Sequence, residues 1–169
     1  MFDEFIAFLK GQDRTRYEQY SAAHSFKFIG VTGYFSAGTP TDLPIAQRKW
    51  GSSIRLISPA LDPEKRREDQ DLDALRKMQD AGIEIRINAR LHARMFVGYS
   101  NREMEKYGSG ILLLGSHDFN RDSVSGQNRN AGIVTGHPGL VISTIRFFEH
   151  IWEDRYETKP LDLVYPPKT

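Results

Sequence analysis

The chain has 169 residues and no cysteine, and its 23 basic and 22 acidic residues leave a formal net charge of +1. This length suits one domain with its own core. The lack of cysteine excludes disulfides, a thiol nucleophile and thiolate metal sites. A charge near zero creates no general field that would indicate a nucleic-acid or membrane partner.

The N-terminus does not resemble a signal peptide, because Asp3 and Glu4 precede its apolar residues. No apolar run in the sequence is long enough to span a bilayer. We therefore expect a cytoplasmic protein without a membrane partner.

The first quarter of the chain contains two kinds of pattern. Residues 1–25 carry aromatic residues at roughly helical spacing, which predicts an N-terminal helical segment. Residues 26–36 are rich in β-forming residues and predict a buried strand. Thr41 or Asp42 is then placed to cap a short helix.

The middle of the chain alternates strands with a charged helix. Residues 52–61 predict a second strand, and the charged helix that follows should stop at Gly82. Residues 83–99 alternate strongly and predict two strands broken near Asn88. The helix should bury one apolar face, formed by Leu72, Leu75 and Met78.

The last third predicts two further strands and a closing helix. The apolar run 111–115 is typical of a central strand covered on both faces, and residues 131–136 predict another strand. Residues 156–169 are proline-rich and suggest an extended C-terminal tail. The whole pattern predicts an α/β fold, a mixed sheet of about six strands with helices on both faces. The closing helix should bury a stripe of Val141, Ile145, Phe148 and Trp152.

Polar residues at strand ends carry the candidate chemistry. The familiar glycine-rich phosphate loops, the HExxH zinc motif and the GxSxG serine motif are all absent. His92 and Arg94 should point to one face of a strand, because they are two residues apart. An imidazole can attack phosphorus, and a guanidinium can bind two phosphoryl oxygens. The alternative is a polar histidine at a sheet edge beside an arginine that forms an ion pair.

A second polar group surrounds the next two strands. Ser116, His117 and Asp118 have the composition of a hydrolase triad, but consecutive residues cannot converge on one substrate atom. A zinc site that also used His92 and His137 lacks any closely spaced ligand pair. We therefore predict no metal and no cofactor.

Three segments resemble the phospholipase D superfamily. LHARMFVGY, GILLLGSHDFN and NRNAGIVT occur in the order of that family's HxK, GSxN and NxE segments. The likeness runs from about residue 26 to about residue 153, and the helix containing FFEHIW suits the family's nuclease branch. The resemblance implies a PLD-like domain over residues 26–155.

The resemblance also assigns roles to catalytic candidates. His92 takes the place of the phosphohistidine nucleophile, and Arg94 replaces the usual lysine while keeping its charge. Ser116 matches the serine that can hydrogen-bond a phosphoryl oxygen. Asp118 replaces an asparagine, and Asn130 replaces the glutamate that orients the histidine. We hypothesise that Asp118 accepts the Nδ1–H of His92 and takes over that orienting role.

The resemblance further implies a reaction and an assembly. The family's reaction is a two-step displacement through a phosphohistidine that needs two histidines and no metal. A chain with one motif would obtain the second histidine by forming a homodimer. Single-motif members of this size are commonly nucleases, so a nucleic-acid substrate is expected. The candidate substrate-binding residues are Asn120, Asn128, Arg90, Arg121 and Arg129.

Alternatives remain at the level of function. A basic groove of Arg86, Arg90, Arg94, Arg121 and Arg129 would bind phosphates, unless these arginines pair with Glu84, Asp118 or Asp122. A degenerate PLD-fold module would bind nucleic acid or a partner protein without cleaving it. A lipid or small-molecule phosphodiesterase is less favoured, because no basic interfacial helix is evident.

Overall fold

The computed structural model describes residues 26–32, 39–49, 52–62, 64–100, 110–116 and 131–167. The predicted N-terminal helical segment of residues 1–25 lies outside these residues. So does the polar segment 117–130 between two of the motif segments.

The described residues form a mixed sheet of seven strands in the order β6-β5-β4-β1-β2-β3-β7. The three central strands β1, β2 and β3 are parallel, and β4, β5, β6 and β7 are each antiparallel to the neighbour that precedes them outward. The mixed sheet predicted from the sequence is confirmed. The strands are β1 (Phe26–Val31), β2 (Ser53–Ser58), β3 (Glu84–Asn88), β4 (Met95–Ser100), β5 (Gly110–Gly115), β6 (Gly132–Thr135) and β7 (Thr158–Pro160).

Helices cover both faces of this sheet. Helices α1 (Thr39–Lys49) and α2 (Arg66–Asp80) follow β1 and β2, and α3 (Pro138–Glu153) packs on the opposite face. Helix α1 begins before Thr41, so the predicted cap is wrong. A proline in the first helical turn costs no hydrogen bond, which lets α1 start at residue 39. Among the described helices, none has the length and apolarity needed to cross a membrane.

The helix periodicities predicted the burial correctly. Leu72, Leu75 and Met78 of α2 are buried in the cluster on one face of the sheet. Val141, Phe148 and Trp152 of α3 are buried in the cluster on the other, where Ile145 is partly buried. Strand β5 contributes Leu113 to the first cluster and Leu112 to the second. Because successive side chains point to opposite faces, a strand covered on both sides is apolar throughout.

An ion pair lies inside the second cluster. Arg55 of β2 donates two hydrogen bonds to the carboxylate of Glu149 on α3. Its guanidinium carbon lies 5.4 Å from the ring centroid of Phe148 and 5.3 Å from that of Trp152. Burial opposes the charge, yet bonding and attraction to Glu149 outweigh it and raise the pKa of Arg55. This pair links α3 to the sheet through charge as well as packing.

The prediction of an extended C-terminal tail is wrong for residues 158–164. Thr158 to Pro160 form β7 against β3, and a short helix α4 (Leu161–Val164) follows. Leu161 is buried against the α2 face of the sheet. The hydroxyl of Tyr165 bonds both the N–H and the carbonyl of Leu61. The proline that follows Lys159 does not prevent a strand, because β7 is the last strand of the described sheet and an edge strand tolerates proline.

Replacing Leu161 by alanine should therefore lower the free energy of unfolding by about 2–5 kcal/mol, the usual cost of emptying a buried leucine site. Urea unfolding followed by circular dichroism measures this loss. Leu163→Ala is the matched control, because Leu163 is 68% exposed, and it should change stability by less than about 0.5 kcal/mol. Equal losses in the two variants would show that the C-terminal segment is not part of the core.

Candidate active site

The motif residues within the described residues meet at one edge of the sheet. Pairing of Val31 with Met95, and of Leu114 with Met95, places the ends of β1 and β5 beside the start of β4. Strand β3 ends at the same edge, and β6 starts there. Because β1 and β2 lie between β3 and β4, the connection 89–94 must pass across their carboxyl ends. This connection, which we call the catalytic loop, carries His92 and Arg94.

His92 and Arg94 are not in a strand, contrary to the prediction, since β4 begins at Met95. They nevertheless lie together, with 3.4 Å between Nη1 of Arg94 and Nε2 of His92. A guanidinium can only donate, so this contact uses Nε2 as an acceptor and leaves the ring proton on Nδ1. His92 is exposed at this edge and Arg94 is half-buried.

Backbone bonds join all three motif segments. The N–H of Gly115 donates to the carbonyl of Arg94 over 3.3 Å, and the N–H of Ser116 donates to the carbonyl of Ala131 over 2.8 Å. The Ser116 hydroxyl accepts from the Ala131 N–H at 3.0 Å and lies 3.3 Å from the Ala131 carbonyl oxygen. The serine predicted to bind phosphate therefore also connects β5 to the start of β6.

Gly115 allows this close approach. A Cβ at that position would lie 2.4 Å from the Ala131 carbonyl oxygen and 2.6 Å from the Gly132 Cα. Both are backbone atoms, so β6 would have to move away from β5. The GS pair of the motif thus has a steric reason for its glycine.

Gly115→Ala should lower the free energy of unfolding by about 1–3 kcal/mol, the usual cost of forcing extra atoms into a packed site. Thermal unfolding checks this loss. In Gly139→Ala, the control, the added Cβ meets only the His137 ring, at 3.3 Å, and alanine is the better helix former. A Gly115→Ala variant as stable as its Gly139→Ala counterpart would contradict the steric explanation.

Two of the predicted groove arginines have partners elsewhere. Arg90 pairs with Glu157, with 3.0 Å between Nη1 and Oε1. Arg86 donates to the carbonyl of Trp152 and lies 4.4 Å from that ring's centroid. Arg86 therefore ends helix α3 on the sheet face and does not join His92 at the edge. Its position was not evident from the sequence, because alternation alone does not say which helix covers a strand.

A cavity of about 550 Å³ lies at the end of α3. Two of its arginines already have protein acceptors, Arg55 in Glu149 and Arg86 in the Trp152 carbonyl. Its charge is therefore largely balanced within the protein. The remaining lining residues are Trp152, Glu153 and Arg155.

Six predicted site residues lie outside the described part of the chain, and their roles stay predictions. The proposed contact between Asp118 and His92 is among these. Within the described residues, no three histidine, aspartate or glutamate side chains gather as metal ligands would. The six are Asp118, Asn120, Arg121, Asn128, Arg129 and Asn130.

Asn88 is the site residue that sequence reasoning missed. It is 5% exposed, and its Oδ1 accepts from the N–H groups of Arg90 and Leu91, each at 3.0 Å. Its Nδ2 donates to Oγ1 of Thr158 over 2.8 Å. An asparagine at a strand end is a typical turn former, so its sequence position could have suggested the turn. Nothing local could have suggested Thr158.

No protein-family model matches the sequence, and a comparison with curated proteins finds no match. Solved structures, by contrast, share its fold. A phospholipase D family member, Nuc from Salmonella typhimurium, superposes with a TM-score of 0.62 at 14% identity, covering 87% of this chain and 89% of that one.

Two further structures resemble the chain over part of their length. Polyphosphate kinase from Porphyromonas gingivalis gives a TM-score of 0.61 at 13% identity, with 78% of this chain and 22% of the kinase covered. TrmBL2, an archaeal chromatin protein described with a novel mode of DNA binding, gives 0.50 at 10% identity, with 86% and 51% covered. The chain thus spans about half of TrmBL2 and less of the kinase.

The chain has the phospholipase D fold. The resemblance carried by the three motif segments is thereby confirmed at the level of architecture. The architecture places His92, Arg94 and Ser116 at one sheet edge, as that resemblance implies.

Proposed function

We propose that the protein is a metal-independent phosphodiesterase, and specifically an endonuclease that acts through a phosphohistidine at the interface of a homodimer. The observation that carries this proposal is the contact between His92 and Arg94 at a sheet edge shared with Ser116. The phospholipase D fold supports it, because the three segments occur in that family's order.

The geometry suits an attack on phosphorus. A phosphate bound to the Arg94 guanidinium would lie beside Nε2 of His92, the nitrogen that now faces that group. Nε2 forms a bond to phosphorus while the ester P–O bond breaks, and the leaving oxygen takes a proton from a second histidine. A water molecule then attacks phosphorus, gives its proton to that second histidine, and releases Nε2.

The second histidine would come from another copy of the chain. The sequence contains one HxR segment, and a two-fold axis at the site would supply His92 and Arg94 twice. Analytical ultracentrifugation at micromolar concentration tests this requirement. A monomer that retains full activity would contradict it.

Nucleic acid is the proposed substrate. TrmBL2, which shares the fold, is described as binding DNA, and single-motif chains of this size resemble the nuclease branch. Arg121 and Arg129 are proposed to extend the phosphate-binding surface from Arg94. A cytoplasmic location remains our prediction.

A second candidate is a PLD-fold module that binds nucleic acid or a protein without cleaving it. The hydrogen bonds of Ser116 favour it, because a hydroxyl that serves Ala131 is less available to a phosphoryl oxygen. The departures from the family pattern at Arg94, Asp118 and Asn130 favour it as well.

Trapping of the covalent intermediate separates the two candidates. Labelled DNA and RNA oligonucleotides are mixed with the protein in EDTA, quenched in denaturant and analysed by mass spectrometry. An adduct on His92 with cleavage supports the nuclease. Binding without adduct or cleavage would establish the binding module, and cleavage abolished by EDTA would overturn the metal-independent mechanism.

A further inference from the structure

We infer that Asn88 is a positioning residue for His92 and that the C-terminal strand β7 holds the catalytic loop through it. This inference rests on the proposed function of His92. It gives the C-terminal segment, which carries none of the motif residues, a direct part in the reaction.

One side chain determines the start of the catalytic loop. The Oδ1 of Asn88 accepts from two consecutive N–H groups, those of Arg90 and Leu91. The Leu91 N–H also lies 3.4 Å from the backbone carbonyl oxygen of Asn88. A carbonyl that binds two successive amides fixes the turn between them, and His92 is the next residue.

The other end of the Asn88 side chain is anchored in β7. Its Nδ2 donates to Thr158, which is 1% exposed and is the register partner of Asn88 in the sheet. Arg90 adds a second tie to this segment through its 3.0 Å ion pair with Glu157. The loop is therefore held at both a side chain and a backbone turn.

The C-terminal partners are themselves ordered by a turn at the end of α3. Oδ1 of Asp154 accepts from the N–H of Tyr156 at 3.0 Å and from that of Glu157 at 3.2 Å. The carbonyl of Asp154 accepts from the N–H of Thr158 at 2.8 Å. Two turns built on short polar side chains thus face each other, and together they connect α3 to His92.

This arrangement should affect catalysis more than binding. Asn88 is almost fully buried and has its hydrogen bonds within the protein. His92 is exposed, so its place relative to phosphorus depends on the backbone that carries it. A displacement of about 1 Å at a reacting group can cost about 100-fold in rate.

The test compares Asn88→Ala with Asn88→Asp. Alanine removes both hydrogen-bonding functions, so amide hydrogen exchange at Arg90 and Leu91 should accelerate and kcat should fall by about 10- to 100-fold, while KM changes little. Aspartate keeps the acceptor for both amides, and the Thr158 hydroxyl can donate to it. Asn88→Asp should therefore recover most of kcat and of the exchange protection.

Val141→Ala is the stability control, because Val141 is buried on α3 beside Gly110, at the start of β5 and away from the loop. It should lower the melting temperature without a selective loss of kcat or of protection at residues 90 and 91. Unchanged protection in Asn88→Ala would overturn the inference, and so would lost protection with unchanged kcat.

The two proposals fail in different ways. Hydrogen exchange needs no substrate, so it reports on the catalytic loop even if no nucleic acid is cleaved. A wild-type protein without cleavage or His92 adduct would end the proposed function and, with it, the catalytic part of this inference. A wild-type protein that cleaves normally while Asn88→Ala also does so would end this inference alone.

Discussion

His92→Ala should reduce phosphodiester cleavage by at least about 1,000-fold, because loss of a nucleophile removes the covalent route and leaves only substrate positioning. Affinity for the same oligonucleotide should fall much less, since the Arg94 guanidinium remains. Single-turnover cleavage in EDTA and fluorescence anisotropy measure the two effects separately.

His137→Ala is the matched control for this variant. His137 is also exposed, but it precedes α3 and follows the end of β6, at the opposite end of that strand from Gly132 and the site edge. Its loss should leave cleavage within about twofold of wild type, as expected for a surface histidine outside the reaction. Comparable activity in the His92→Ala and wild-type proteins would refute the nucleophile assignment, whatever the control does.

Arg94 allows a finer test of the same site. Lysine, the usual family residue, keeps the charge but loses the fork, whereas alanine loses both. If the contact with His92 reflects phosphate binding, Arg94→Lys should retain more activity than Arg94→Ala. Equal activity in both variants would mean that the guanidinium is not required.

Glu149→Ala should be the most destabilising change of a charged residue described here, lowering the free energy of unfolding by about 2–3 kcal/mol. Breaking a fully buried pair costs about 3–5 kcal/mol, and we discount this because the Glu149 side chain is 35% exposed and that of Arg55 is 17% exposed. Arginine cannot shed its proton to escape the penalty. Its charge would remain between two aromatic rings without a carboxylate.

The expected shift in melting temperature is about 5–10 °C for a domain of this size, which differential scanning calorimetry resolves. Glu153→Ala on the same helix is the control, because Glu153 is exposed. An Arg55→Met, Glu149→Met double variant should regain much of the loss, since apolar residues can replace a buried pair. A Glu149→Ala protein as stable as the Glu153→Ala protein would show that the pair contributes nothing net.

Local patterns predicted much of the architecture. The spacing of Leu72, Leu75 and Met78 identified the buried face of α2, and the apolar run of β5 identified a strand covered on both sides. These features follow from the 3.6- and 2-residue periods of helix and strand, which any short segment displays. The order of the three motif segments then indicated the phospholipase D fold.

The sequence by itself determined which residue types are available for the chemistry: one HxR segment, one GS pair and no cysteine. Only the tertiary structure decided that His92 and Arg94 meet in a loop and that Ser116 bonds Ala131. It also decided the pairs Asn88–Thr158 and Arg55–Glu149, which join residues 70 and 94 positions apart. Periodicity reports burial along one segment, whereas such pairs depend on strand order and helix placement, which no single segment encodes.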